Sequence, residues 1–281
     1  MNTIKRRFVR IILEKYLFLA KSFLLKAIYF FRPHFLETQI VICGIPRSGT
    51  SLLFNIISGI TIDINPYTNE NLISNEVSYR KLLHRKGSYI SKMPSDIFEI
   101  KSITKVNARK KKILVFVCVR DPRDVMVSKH QLIKDRYYMQ LDTRWSPTKK
   151  VKIKNGINQF YDAVLELKDS KTKSINFQII RYEDLTQGSN VIDKFLAENG
   201  VITTMKADEY SRSDRLPYRS GDGITSGEEC SGILKRKRNW SSSEEDMTHV
   251  LNLFAQNGHL HDYLKEFDYE ENQEWIVTCT K

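Results

Sequence analysis

The sequence predicts an α/β fold in which a central parallel β-sheet is flanked by helices. Two observations carry this prediction: three short apolar segments have the composition of strands, and each leads towards a segment with helical character. The strand segments are residues 39–43, 113–119 and 175–180. Strands that alternate with helices are typical of a doubly wound sheet, whose ligands gather at the carboxyl ends of the strands.

The first strand segment stops at Gly44, and apolar residues recur at helical spacing over residues 50–57. This order predicts a strand, a glycine loop and a helix. The second segment is apolar at every position from 113 to 119, as expected for a strand that is buried on both faces of a parallel sheet. The third segment is followed by a helical stretch over residues 190–198. Residues 60–112 have few strong periodicities, which predicts loops and short helices, and we assign acceptor binding to them by elimination.

Length and charge limit the class of protein. The chain has 281 residues, of which 41% are hydrophobic and 28% charged, and this favours a folded protein over a disordered chain. We divide it into a basic N-terminal helical segment, residues 1–35, and one main domain, residues 36–281.

The formal charge of +12 indicates an anionic ligand, a glycan, nucleic acid or a membrane surface as a partner. The four widely spaced cysteines lack metal-ligand spacing, so we expect reduced core thiols, no metal and a cytoplasmic location.

Residues 1–31 are the most unusual segment, because apolar residues recur on one helical face and basic residues mostly lie elsewhere. Charged residues interrupt the apolar run at Glu14, Lys15, Lys21 and Lys26, which disfavours a membrane-spanning helix, and a cleavable signal also fits poorly. Two interpretations stay open. The segment is either a helix packed on the domain or a basic amphipathic helix in peripheral contact with an anionic membrane.

The first strand and helix are joined by the sequence GIPRSGTSLL at residues 44–53, which has the features of a phosphate-binding loop. Gly44 and Gly49 bracket four residues, and the amides at the start of the helix can face an anion. A P-loop kinase or nucleotide triphosphatase would carry a Gly-Lys pair here, whereas Gly49 is followed by Thr50 and the cation is Arg47. Such an enzyme is the rival hypothesis, and the missing Gly-Lys pair argues against it.

The same ten residues resemble the 5′-phosphosulfate loop of the sulfotransferase superfamily, whose members take a sulfuryl group from 3′-phosphoadenosine 5′-phosphosulfate (PAPS). A second motif, VRDPRDVMVSKH at residues 119–130, resembles the family segment that binds the 3′-phosphate of this donor. The alternative for its arginine is an ion pair with Asp121 or Asp124 at the start of a helix. The resemblance implies donor contacts from Arg47, Ser48, Gly49, Thr50, Ser51, Arg120 and Ser128, with Ser128 about two helical turns after Arg120.

Two further segments carry the resemblance. RYEDL at residues 181–185 resembles the strand end whose tyrosine lies against the adenine, which implies that role for Tyr182. KRKRNW at residues 235–240 resembles, more loosely, a basic loop that closes over the 3′-phosphate, and Arg236 and Arg238 are preferred there because a planar guanidinium suits phosphate. The usual glycine beside the tryptophan is missing, so the individual contact stays open.

The resemblance also implies catalytic roles. Arg47 would stabilise charge on the departing oxygen, and Lys92 in ISKMP resembles a Lys-x-Pro segment near the sulfuryl group, although a surface lysine before a turn is the alternative. Some branches carry a glutamate base about two dozen residues after the glycine loop, which corresponds to Glu70. Glu76 and His84 are the other candidates. His130, within the helix predicted after Arg120, is expected to be a packing residue and not a catalyst.

The sequence therefore predicts a sulfotransferase that moves a sulfuryl group from PAPS to a hydroxyl or amine acceptor, a glycan among the candidates, and releases adenosine 3′,5′-bisphosphate. A basic, membrane-docked binding protein is the non-enzymatic alternative. Few aromatic residues lie among the basic clusters, which argues against nucleic acid as a partner. The clusters at residues 149–154 and 235–238 are by themselves typical of solvated faces.

Overall fold

A five-stranded parallel sheet forms the centre of the fold, and its strands lie side by side in the order 65–66, 89–92, 38–44, 112–119 and 176–181. The computed structural model describes residues 37–67, 76–130, 133–146, 150–170, 175–187, 190–214, 240–270 and 275. Its strands are β1 (Thr38–Gly44), β2 (Asn65–Pro66), β3 (Tyr89–Lys92), β4 (Lys112–Val119), β5 (Lys129–His130), β6 (Ile133–Tyr137), β7 (Thr143–Ser146), β8 (Val151–Lys154) and β9 (Asn176–Arg181). The predicted α/β class and its parallel sheet are confirmed.

Helices cover both faces of this sheet. They are α1 (Thr50–Ile60), α2 (Arg80–Leu83), α3 (Ile103–Val106), α4 (Pro122–Met126), α5 (Ile157–Asp169), α6 (Tyr182–Gln187), α7 (Val191–Glu198), α8 (Glu244–Gln256) and α9 (His259–Glu266). Short 3₁₀ turns occupy Pro94–Phe98, Ile100–Ser102 and Ala207–Arg212. Successive strand residues point to opposite faces, so Val41 and Val117 pack with α5, α8 and α9, whereas Ile42 and Phe116 pack with α1 and α7.

The central strand β1 lies between β3 and β4, and its residues after Thr38 are all buried. The apolar segments predicted as strands correspond to β1, β4 and β9, and the predicted helices correspond to α1 and α7. Because β1, β4 and β9 are parallel, their carboxyl ends meet at one edge of the sheet. That edge holds the loop after Gly44, Arg120 and Arg181.

The expectation of only loops and short helices in residues 60–112 is wrong, because β3 lies inside the sheet, between β2 and β1. Its four residues include Ser91 and Lys92, and both polar side chains are buried. Gln39 Nε2 donates a hydrogen bond to Ser91 Oγ at 3.1 Å, which compensates for the burial of both groups. A short strand with polar residues lacks the apolar run that identified its neighbours.

The helix expected to carry Ser128 and His130 is also shorter than predicted. It ends at Met126, and Lys129–His130 forms β5, which pairs with β6 in an antiparallel hairpin. The carbonyl oxygen of Ser128 accepts a hydrogen bond from the N–H of Tyr138 at 2.8 Å. The chain therefore enters the hairpin at the point where the helix was expected to continue. Ser128 therefore follows the helix instead of lying two turns along it.

Cys43 and Cys118 are free thiols, and both are fully buried on the neighbouring strands β1 and β4. Burial raises the pKa of each thiol well above its ordinary value. The prediction of buried core thiols is confirmed for these two cysteines. Within the described ranges, no helix is both long enough and apolar enough to cross a membrane.

Several predictions fall outside the described residues. They concern the N-terminal helical segment, residues 1–35, the candidate base Glu70, and the phosphate contacts Arg236 and Arg238.

Candidate functional site

A tight loop joins the carboxyl end of β1 to α1, and it contains three residues with positive φ: Gly44 at 119°, Arg47 at 70° and Gly49 at 87°. Gly44 lies against β4, where a Cβ would come within 2.3 Å of the carbonyl oxygen of Cys118. The Ser48 hydroxyl lies within 2.5 Å of a loop carbonyl oxygen and within 3.1 Å of the carbonyl oxygen of Cys118. Because Ser48 is fully buried, its hydroxyl fixes the loop to the sheet.

The first turn of α1 is built to face an anion. Gly49 is the N-cap residue, no described side chain caps it, and the first turn holds no acidic residue. The first N–H groups of a helix have no acceptor within the helix, and the positive end of the helix dipole adds to their attraction for negative charge. Thr50 and Ser51 place hydroxyl groups in the same turn.

Lys92 brings a positive charge to this helix start. It ends β3, the strand beside β1, and its Nζ donates to Ser51 Oγ at 2.9 Å. Only 3% of the residue is exposed, so the alternative of a surface lysine is wrong. A buried ammonium is costly unless polar or anionic groups surround it. The hydrogen bond to Ser51 therefore holds the Lys92 ammonium at the start of α1.

Arg120 connects the loop to the end of β4. Its Nη1 donates to the carbonyl oxygen of Arg47 at 3.3 Å, and its Nη2 pairs with Asp124 at 3.0 Å. The ion pair considered as an alternative role for this arginine is therefore present, and it holds the guanidinium against the loop. Nε of Arg120 is buried and has no hydrogen-bond partner among the described residues.

Tyr182 closes the other side of the loop. It starts α6 directly after β9, and its ring lies 4.4 Å from the guanidinium carbon of Arg120. The ring also lies against Gly49, where a Cβ would approach Cδ2 of the tyrosine to 2.5 Å. The three strand ends thus bring the residues predicted from separate motifs into one contiguous surface.

Ser128 carries a buried hydroxyl that the described part of the chain leaves without a hydrogen-bond partner. The residue is 2% exposed and follows α4, the helix that begins after Arg120. A buried hydroxyl without a partner is costly in a folded protein, and such groups are frequently reserved for a ligand.

Glu76 is a carboxylate whose charge is coupled to two cations of this region. Burial raises its pKa, while the charges of Lys92 and Arg144 act in the opposite direction. The N–H of the next residue donates to the carbonyl oxygen of Lys92 at 2.9 Å. The carboxylate of Asp96 accepts the N–H of Tyr79 at 2.9 Å, so two anchors fix the segment that carries Glu76.

Tyr138 and Arg144 join the same neighbourhood, although no sequence pattern pointed to them. Tyr138 is buried, and its hydroxyl accepts a hydrogen bond from Arg144 Nη1 at 3.1 Å. Burial raises the pKa of Tyr138, Arg144 and Arg47 act to lower it, and Glu76 acts to raise it. The His130 ring stacks on Tyr138 with ring centroids 5.7 Å apart. Burial and the nearby charge of Arg47 lower the pKa of this histidine.

Trp240 is the first described residue after the C-terminal basic cluster. Its N–H donates to Asp124 Oδ1 at 3.1 Å, the same carboxylate that holds Arg120. Its ring lies 4.9 Å from the guanidinium carbon of Arg123 and 5.1 Å from the ring of Trp275. The chain that follows residues 235–238 is therefore anchored beside Arg120.

His84 lies at the opposite end of the sheet. It follows α2 in a turn whose carbonyl oxygens, on Leu82 and Gly87, accept hydrogen bonds from Lys111 Nζ at 3.1 and 2.7 Å. Lys111 immediately precedes β4, so this turn is at the amino ends of the strands. The geometry disfavours His84 as a base for chemistry at the carboxyl ends.

The described residues contain no cluster of three or more histidine, cysteine or acidic side chains able to hold a metal ion.

A family model described as a sulfotransferase domain matches residues 37–192, more than half of the chain. Among solved structures, the chain is similar to the "Sulfotransferase Domain from the Curacin Biosynthetic Pathway" at 14% identity and a TM-score of 0.45, over 85% of this chain and 99% of that chain. No curated protein matches the sequence. The assignment to a family therefore rests on the family model.

Proposed function

This chain belongs to the sulfotransferase domain family, and on that premise we propose that it transfers a sulfuryl group from PAPS to a hydroxyl or amine of an acceptor. The observation that carries the proposal is the contact between two separate motifs, in which Arg120 Nη1 donates to the carbonyl oxygen of Arg47 at 3.3 Å. This contact places a phosphate-type loop and a second arginine site side by side, as a donor with two separate anionic groups requires.

The residues fit such a donor at both anionic ends. The first turn of α1, with Lys92 beside it, would hold the 5′-phosphosulfate. Arg47 of the same loop, whose Nη2 donates to the carbonyl oxygen of Lys129 at 3.4 Å, is proposed to join it. Arg120 and Ser128 would hold the 3′-phosphate, and this role is supported by a buried guanidinium nitrogen and a buried hydroxyl without described partners. Tyr182, which touches both Arg120 and the loop, would contact the adenine.

The C-terminal basic cluster is proposed to complete the 3′-phosphate site through Arg236 and Arg238. Support comes from the end of that segment, since the N–H of Trp240 binds the carboxylate of Asp124, which also pairs with Arg120. Guanidinium groups suit phosphate because their planar donors can form paired hydrogen bonds.

When bound, PAPS would supply the sulfuryl group, with adenosine 3′,5′-bisphosphate as the leaving group. Lys92 holds a positive charge at the start of α1, where it would stabilise negative charge on a departing oxygen, and Arg47 of the same loop is proposed to add to this charge. A base then has to remove the proton of the acceptor hydroxyl as the oxygen attacks.

Among the described carboxylates, Glu76 has the observations that suit this base. Its pKa is raised by burial, which makes it a stronger proton acceptor than an ordinary glutamate, and the nearby charges of Lys92 and Arg144 keep its ionised form accessible. The sequence predicts Glu70 for this role, and Glu70 stays a candidate. Substituting each residue separately distinguishes them.

Calorimetry with the full-length chain tests the donor. We expect adenosine 3′,5′-bisphosphate to bind and ATP with magnesium to bind at least about tenfold more weakly. Arg120→Ala should weaken bisphosphate binding by about tenfold or more, whereas Arg212→Ala, on an exposed 3₁₀ turn, should leave it unchanged. Tight binding of ATP alone would reverse the conclusion in favour of a P-loop kinase or triphosphatase.

Transfer itself is measured with radiolabelled PAPS and pools of candidate acceptors. Label that moves to an acceptor in the presence of the wild-type chain, and fails to move with Arg47→Ala, supports the proposal. A chain that binds the bisphosphate but moves no label to any acceptor pool would contradict it.

A further inference from the structure

The antiparallel segment after Ser128 concentrates positive charge. Residues 129–154, here called the hairpin surface, contain eight lysines and arginines and two aspartates, so this segment alone carries half of the formal charge of +12. It comprises the β5–β6 hairpin and the β7–β8 hairpin. Sequence reasoning assigned the cluster at residues 149–154 to a solvated face, and the proposed donor site does not use it.

Strand β7 presents two different faces. Arg144 points inward, where it donates to the hydroxyl of Tyr138 and acts on the pKa of Glu76. The neighbouring residue Trp145 points to the other face, because successive residues of a strand alternate. Its backbone N–H donates to the carbonyl oxygen of Tyr138 at 3.0 Å. The outer face is therefore hydrogen-bonded to Tyr138, the tyrosine whose pKa is affected by the candidate base Glu76.

Cations surround Trp145 on this outer face. The guanidinium carbon of Arg136 lies 4.4 Å from its ring centroid, and Nζ of Lys152 lies 5.9 Å from it. Trp145 pairs with Lys152, and Thr143 pairs with Lys154, so both lysines share the face of the tryptophan. Arg136, Lys152 and Lys154 are exposed. Among the ion pairs of the described residues, none uses a lysine or arginine of the hairpin surface.

We propose that the outer face of the β7–β8 hairpin, formed by Trp145, Lys152, Lys154 and Arg136, docks a polyanionic carbohydrate acceptor whose reacting hydroxyl reaches Glu76. This inference rests on the proposed sulfotransferase function and specifies the class of its acceptor. Exposed cations attract a chain of carboxylate or sulfate groups, and an indole offers an apolar face to the C–H side of a sugar ring. Tryptophan and arginine are also the side chains that most often dominate binding energy at interfaces.

The arrangement favours an acidic glycan over nucleic acid or a membrane. Binding of single-stranded nucleic acid uses successive aromatic platforms, whereas the neighbouring tyrosines here face inward: Tyr138 is buried and Tyr137 binds Asp246 and stacks on His249. Membrane docking uses a broad apolar face, and Val151 is the exposed large hydrophobic side chain in the described part of the hairpin surface.

Binding of defined polymers to the full-length chain tests the proposal without any turnover. The probes are alginate and dextran sulfate, with neutral dextran, phosphatidylglycerol vesicles and duplex DNA for comparison. We expect the two acidic polysaccharides to bind, with an affinity that falls as salt rises, and neutral dextran to bind at least about tenfold more weakly. Stronger binding of the vesicles or of DNA than of either acidic polysaccharide would overturn the proposal.

Variants locate the binding. The double substitution Lys152→Gln with Lys154→Gln, and separately Trp145→Ala, should each weaken binding of the acidic polysaccharides by about tenfold. The matched control is Lys194→Gln with Lys206→Gln, which removes two exposed charges on the opposite side of the sheet. Equal losses in the control and in the hairpin variants would overturn the proposal. The lysine substitutions keep the test valid if Trp145→Ala fails to fold.

Failure of this inference is distinguishable from failure of the proposed function. The hairpin variants should bind adenosine 3′,5′-bisphosphate as the wild type does, because none of the changed residues belongs to the proposed donor site. Wild-type nucleotide binding together with unchanged polysaccharide binding in these variants would remove the acceptor surface and leave the sulfotransferase proposal intact. Loss of bisphosphate binding in the wild type would instead remove the donor.

Discussion

The ring of Tyr182 lies directly on Gly49, so closely that a Cβ on the glycine would stand 2.5 Å from Cδ2 of the tyrosine. The two residues come from different strand ends, β1 and β9, with β4 between them. Because Arg120 at the end of β4 also stacks on the same ring, the tyrosine ties all three strand ends together. The loop proposed to bind the donor and the residue proposed to contact adenine therefore form one packed unit.

Gly49→Ala should damage this unit. The new methyl group collides with Tyr182, and the backbone at φ 87° is strained for alanine, so we expect bisphosphate affinity to fall by about tenfold or more. Gly200→Ala is the matched control, because Gly200 also has positive φ but has nothing within 4 Å of its Cβ position. Calorimetry and thermal unfolding measure both variants. A loss of affinity as large in the control would show that backbone strain, and not the contact with the tyrosine, is responsible.

Ser128→Ala should separate binding from stability. The buried hydroxyl has no partner in the described structure, so its removal costs no internal hydrogen bond and should change the free energy of unfolding by less than about 0.5 kcal/mol. Bisphosphate affinity should nevertheless fall several-fold. Ser48→Ala is the contrasting variant, since its hydroxyl has two carbonyl partners and its loss should cost about 1 to 3 kcal/mol. Urea denaturation and calorimetry measure the two effects, and unchanged affinity in Ser128→Ala would exclude a phosphate contact.

Glu76→Gln should lower kcat by about a hundredfold while bisphosphate affinity stays near that of the wild type. Since the base acts when deprotonated and its pKa is raised by burial, wild-type activity should decline as the pH falls through that raised pKa. The decline should therefore begin at a higher pH than for an ordinary glutamate. Steady-state rates across pH, with Glu70→Gln in parallel, measure this. Normal turnover in Glu76→Gln and loss of turnover in Glu70→Gln would assign the base to Glu70.

Asp96→Asn should alter how stability depends on pH. Burial raises the pKa of Asp96 to about 7, against hydrogen bonds from Tyr79 and Ser78 that act to lower it. Between the unfolded pKa near 4 and this value the folded state binds more protons, so Asp96 contributes stability that is lost as the pH rises through about 7. The variant should lose this contribution to the slope between pH 5 and pH 8. Urea denaturation at both pH values, with exposed Asp208→Asn as the control, measures it, and an unchanged slope in Asp96→Asn would contradict the assignment.

The main strands were predictable because buried strands consist mostly of apolar residues. β1 and β4 contain the continuous apolar runs 40–43 and 113–119, which are followed by a glycine and an arginine, and such runs belong to strands buried on both faces. β3 was not predicted because Ser91 and Lys92 are polar, and their burial depends on partners that lie 52 and 41 residues away in the chain. Tertiary contacts of that kind leave no local signal.

Some residues of the candidate site also had a local sequence signal, and others did not. Arg47, Arg120 and Tyr182 could be named in advance because each follows a strand within a motif. Arg144 could not, because a hairpin that no periodicity indicated brings it to Tyr138. The sequence also could not give side-chain direction: Ser48 matches the loop motif, yet its hydroxyl turns inward to the sheet.

The two buried thiols on β1 and β4 can report how often the central sheet opens. Neither Cys43 nor Cys118 is exposed at all, and each sits on a central strand that only a large opening of the sheet would uncover. A thiol reagent in excess would consequently modify them at the rate at which the sheet itself opens. Their labelling rate would report the lifetime of the folded core, with and without nucleotide, in the unaltered chain.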